Sequence, residues 1–108
     1  MTIDDMVRID TAPGQQGAVY QSKINLTGAV NSNAVALPAF EVYGIAVQIT
    51  GTAILYATAY SLEDVESDDA VWSVWDGASE FNKSITAMKV ENSSGSSEIV
   101  ITVKVTEV

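Results

Sequence analysis

Apolar and polar residues alternate along most of this chain with a period of two, the signature of strands buried on one face. The last segment carries the cleanest pattern. Ile99, Ile101, Val103 and Val105 fall on one face, and Val100, Thr102, Lys104 and Thr106 fall on the other. Over residues 20–26, Tyr20, Ile24 and Leu26 oppose Gln21, Lys23 and Asn25. Over residues 43–49, Tyr43, Ile45, Val47 and Ile49 alternate with Gly44, Ala46 and Gln48. Thr50 and Gly51 then turn the chain straight into residues 52–60, which predicts a hairpin. Shorter strands are expected at 34–37, stopped by Pro38, at 71–75, closed by Asp76 and Gly77, and at 84–90. The polar run 92–97 is expected to join two antiparallel strands, and residues 61–69 read as an acidic loop. No stretch of ten or more residues places its apolar side chains at helical spacing.

These elements predict an all-β, single-domain antiparallel β-sandwich, or a jelly-roll-like variant, of about seven to eight strands. Residues 1–17 are polar and turn-rich, ending in Pro13, Gly14 and Gly17. They predict an extended N-terminal arm with one short strand at Met6–Ile9, the alternative being a disordered terminus, and residues 18–108 form the sandwich domain. The 108 residues are enough for one core, so neither disulfide nor metal is required for folding.

Composition then narrows the function. The chain has no cysteine and no histidine. Thiolate metal sites, Ser-His-Asp triads and Cys-His pairs are therefore excluded, and no cofactor or metal is expected. With 14 acidic residues against 5 basic ones, the formal charge is −9. Such a surface repels phosphate backbones and anionic membranes, so neither nucleic acid nor membrane is an expected partner. No apolar run is long enough to span a bilayer, and the acidic start, Asp4 and Asp5, is unlike a secretory signal.

Candidate chemistry is sparse. Glu63, Asp64, Glu66, Asp68 and Asp69 crowd one loop, but their spacing lacks the glycine and register of a helix-flanked calcium loop, so a solvated charged loop is expected. Paired carboxylates for glycoside hydrolysis have no particular pair to favour among so many acids, and no enzyme is expected. Sequons at Asn25, Asn82 and Asn92 are expected by chance in a chain rich in serine and threonine. Trp72, Trp75, Tyr56 and Tyr60 are candidate partner-binding aromatics, and a flat group of them suits a glycan. The tryptophans stand three apart, so a regular strand sends them to opposite faces, one of them into the core. Met6, Val7 and Arg8 on the arm complete the candidate contacts. The outer side of the last strand and Val71 and Val74 are lightly charged, marking them as places where an edge is exposed to self-association.

From Tyr43 to the C-terminus a series of local motifs recurs together: Val42, Tyr43 and Gly44, then the Thr50, Gly51, Thr52 turn, then Tyr60, Ser61, Leu62, Glu63 and Asp64. Val71 and Trp72 follow, then Ile85, Thr86, Ala87, Met88, Lys89 and Val90, and the Ser94, Gly95 turn before the alternating last strand. In this the chain resembles small β-sandwich structural proteins of tailed-bacteriophage virions. The resemblance implies a non-enzymatic capsid decoration (cement) protein, assembled in the host cytoplasm and residing in the virion. It implies the major capsid protein or other virion subunits as partners, and a homo-oligomer. The alternative is a tail or fibre module that binds host-surface glycans through exposed aromatics.

Overall fold

A computed structural model describes residues 1–10, 17–39, 41–75 and 85–106. Among them are ten strands in two sheets and one single-turn helix, an all-β sandwich. One sheet runs in the order β2 (Val7–Asp10), β3 (Gly17–Thr27), β10 (Ser96–Thr106), β6 (Glu41–Thr50), antiparallel throughout. The other runs β1 (Ile3–Asp5), β5 (Ala34–Ala36), β9 (Ala87–Asn92), β7 (Ile54–Thr58), β8 (Ser73–Val74), with the two-residue β4 (Val30–Asn31) also on β9. These are the β10 sheet and the β9 sheet below. In the β9 sheet the β1–β5 pair is parallel, a departure from the antiparallel expectation.

β10 explains why the fold closes. Its odd residues Ile99, Ile101, Val103 and Val105 are fully buried between the sheets. They meet Met88 and Val90 of β9 and Leu55 and Ala57 of β7 in one cluster. Each such aliphatic side chain contributes about 1.5–3 kcal/mol of transfer free energy. β10 is the centre of its sheet, held by β3 on one side and β6 on the other. The last strand is therefore not an exposed edge. Its even residues face outward between two neighbours, where Val100, Thr102 and Thr106 are only half exposed.

β6 departs from simple alternation. Its register against β10 slips between Lys104 and Val105, which pair with Gly44 and Val42. That bulge changes the phase of the strand, so Val42 packs on the core from one side of it and Ile45 and Val47 from the other.

Two expected hairpins are corners instead. β6 and β7 lie in different sheets, as do β9 and β10, and as do β3 and β4. Each of the three connections carries a glycine at positive φ: Gly28 (81°), Gly51 (110°) and Gly95 (66°). At Gly51 a Cβ would run into Ser97 Oγ and lie 2.8 Å from Ser96 O, so only glycine fits. Two of the corners, at Gly28 and Gly95, are tied together by Asn92, whose side chain is buried. Asn92 Nδ2 donates to Gly28 O and Gly95 O, both at 2.9 Å, and Oδ1 accepts from Ser97 Oγ at 2.7 Å. Gly28 N donates to Gly95 O as well.

The first ten residues are woven into the sandwich. β1 joins the β9 sheet, β2 joins the β10 sheet, and Met6 between them is buried in the main core. The rest of the arm, residues 11–16, lies outside the described residues, as do the Asp76, Gly77 turn, Asn82 and Ser84.

Candidate functional site

The outer face of the β9 sheet carries two of the aromatics singled out by the sequence, Tyr56 and Trp72. Along β9, Met88 and Val90 point into the core, so Ala87, Lys89 and Glu91 point outward. Tyr56 is registered opposite Lys89, and Val74 opposite Tyr56, giving one outward row across three strands. Ile54 stands opposite Glu91 in the next row.

Part of this face is covered. The segment expected as an acidic loop contains α1 (Leu62–Glu66), a single helical turn. Ser61 is its N-cap and its hydroxyl accepts from Asp64 N at 3.2 Å, while Glu63 and Asp64 place negative charge in the first turn. The turn drives Val65 onto Ala34 and Ala87, and Met1, Ile3, Ala70 and Trp72 close round them in a second, smaller core. The Met1 amino group donates to Glu66 O at 2.8 Å and pairs with Asp68 at 3.4 Å. The acids of this segment do not converge: among the described residues no three acidic side chains are grouped to hold a metal ion.

The tryptophans fall on opposite sides of the β9 sheet. Trp75 packs on the main core, and its backbone N–H extends the ladder to Leu55 O at 3.0 Å. Trp72 packs on the outer cluster. Lys89 Nζ lies 4.7 Å from the Trp72 ring centroid and 5.9 Å from that of Tyr56. The cation is thus held over both rings, and one face of each is occupied by the protein itself. The Glu91 carboxylate, standing near the Tyr56 phenol as an acceptor for its proton, raises its pKa above the usual tyrosine value; desolvation and the Glu91 charge add to the same direction.

The structure therefore brings Tyr56 and Trp72 together but leaves Trp75 on the other side of the sheet. Tyr60 is exposed past the end of β7, where its carbonyl accepts from Thr86 Oγ1. On the other sheet, Val7 is exposed on β2 while its neighbour Met6 is buried. The residues that organise the aromatic cluster, Lys89 and Glu91, were not singled out from the sequence. Their signal was the alternation Met88, Lys89, Val90, Glu91, which sends both charges to the same face as Tyr56.

Several apolar residues of the surrounding segments are exposed. Val71 and Val74 are 61% and 59% exposed, and Ile54, Tyr60 and Leu62 are exposed too. Open depressions elsewhere are shallow: one of about 340 Å³ lined by Met6, Tyr20, Leu37 and Leu62, another of about 360 Å³ beside Lys23, Asn25 and Asn33. Comparison with protein-family models, with curated proteins and with solved structures finds no match to this chain.

Proposed function

We propose that this protein is a non-enzymatic structural component of a virion, a capsid decoration protein that docks on the outer surface of the shell through the outer face of its β9 sheet. The observation that carries the reading is the exposed apolar strip Val71, Val74 and Ile54 beside the Lys89, Trp72 and Tyr56 cluster. Interface cores are enriched in aromatic and aliphatic side chains, and exposed contiguous apolar surface marks docking sites. Here Val74 and Ile54 stand on β8 and β7, with Val71 just ahead of β8, and Lys89 and Glu91 lie opposite Tyr56 and Ile54, able to fix orientation. The sequence resemblance to small virion proteins supports the same reading. So does the excess of acid, which suits the outside of a shell better than contact with packaged DNA.

The test is co-sedimentation with empty phage shells, wild type against Val71→Glu/Val74→Glu. Both positions are exposed, so the variant should fold as wild type by circular dichroism. The docking reading expects wild type to pellet with shells and the variant to stay in the supernatant. Wild type that ignores shells refutes it, and equal pelleting of both proteins refutes the assignment of this face.

A further inference from the structure

Besides the two-residue β4, which pairs with β9 alone, the described strands include four outer ones, and three of them are poor templates for another chain. β8 is two residues long, and β1 is three residues long with Asp4 and Asp5 exposed. β2 is four residues long, carries Arg8 and Asp10, and its register slips between them. Short length, charge and irregularity are the devices that protect sheet edges. The fourth, β6, has ten residues and pairs with β10 alone among the described strands. No residue from Val42 to Thr50 is charged, and none is proline. The bulge sits at its start, so Gly44 to Thr50 run in unbroken register with β10.

We infer that β6 is a self-association edge, pairing antiparallel with β6 of a second copy across a twofold axis at Val47. The sequence around Val47 suits that axis. Ile45 would face Ile49 of the second copy, Val47 would face Val47, Ala46 would face Gln48, and Gly44 would face Thr50. Ile49 is 42% exposed, and Ile45 and Val47 are only partly covered although they pack on the core. The pairing brings these three apolar positions against their counterparts and so continues the core from one copy to the next. Outside it, Ala46, Gln48 and Gly44 are small or neutral and let the backbones approach. The charge pattern selects the same place. A chain with net charge −9 repels a second copy over most of its surface, and this strip carries no charge to repel. Among the described strands the outer side of β6 has no ladder partner, and an antiparallel partner there would supply about one hydrogen bond per residue pair. The β6 edge and the proposed shell-docking face lie on different sheets, so either assignment can fail without the other.

The experiment is the solution mass of the full chain by light scattering over a concentration series, with no shells present. The expected result is a dimer that dissociates on dilution. Ala46→Lys/Gln48→Lys places lysines opposite lysines across the axis at two exposed positions, and should raise the dimer dissociation constant about tenfold or more. Ala46→Glu/Gln48→Glu should do the same. Mixing the two variants should restore the dimer, because the axis pairs position 46 with position 48. Circular dichroism checks that both variants remain folded. A wild-type chain that stays monomeric at all concentrations overturns the inference. So does a dimer that the lysine pair leaves unchanged, or two variants that do not recover on mixing.

Discussion

Asn92 is a buried polar side chain that joins two corners of the sandwich to β10. It is 4% exposed and makes three side-chain hydrogen bonds, joining the β3–β4, β9–β10 and Ser97 segments. Asn92→Ala removes all three at once. It leaves Ser97, itself 4% exposed, without its acceptor, and leaves two carbonyls short of a donor. A net contribution of about 1 kcal/mol per hydrogen bond, with a further penalty for the stranded Ser97 hydroxyl, gives a loss of about 3–4 kcal/mol. Against a total stability of roughly 5–15 kcal/mol that is a large fraction. It corresponds to a fall in Tm on the order of 10–20 °C.

The measurement is urea unfolding at neutral pH, with Asn92→Ala, Ser97→Ala and the double variant forming a cycle. The denaturant midpoint should drop while the slope stays that of wild type, because the same surface is exposed on unfolding. The cycle should show a coupling of about 1 kcal/mol or more, since removing both partners no longer strands Ser97. A cost below about 1 kcal/mol for Asn92→Ala would refute the reasoning, and so would strict additivity of the two single changes.

Two further outcomes follow from the same structure. Gly51→Ala should cost well over 2 kcal/mol in urea unfolding, because its Cβ meets Ser97 Oγ and Ser96 O and its φ is 110°. Gly95→Ala, with positive φ but open space around it, should cost only about 1–2 kcal/mol, and equal losses would refute the steric account. Tyr56 should titrate above its ordinary value in a spectrophotometric titration, and Glu91→Gln should lower it. Because the folded-state pKa is raised, the stabilisation from this pair is intact below the unfolded tyrosine value of about 10 and is lost as pH rises through the folded one.

The parts of this fold written in local alternation were legible, and those decided between distant segments were not. β10 could be read residue by residue because one face is wholly apolar from Ile99 to Val105. The opposite placement of Trp72 and Trp75 followed from their spacing. The Thr50, Gly51, Thr52 turn, by contrast, carries the same glycine signal whether it closes a hairpin or a corner. Which one forms depends on β10 claiming β6 and β9 claiming β7, pairings far apart in sequence. The bulge that changes the phase of β6 is likewise set by its register on β10. α1 was missed for a different reason. Ser61 and Asp64 do form an N-cap signature, but one turn is too short to show a helical period, and the surrounding acids read as loop. In the candidate site the aromatics were visible, while their organiser Lys89 was concealed in an ordinary strand pattern.

The two proposed surfaces reinforce one another because of how the chain turns its corners. Each crossing at Gly28, Gly51 and Gly95 sends consecutive strands to opposite sheets, so the long uncharged edge belongs to the β10 sheet while the apolar strip belongs to the β9 sheet. Joining two copies through β6 would therefore extend one sheet and leave both strips uncovered, now fixed to a single rigid body. On the proposed reading, once one strip engaged a shell the second would dock from a high effective concentration, and two weak contacts would act as one strong contact if the spacing on the shell fitted. A patch as small as Val71, Val74 and Ile54 would bind weakly by itself. Valency rather than patch size is then the quantity that converts such a surface into stable attachment, and the edge of β6 is where this fold would supply it.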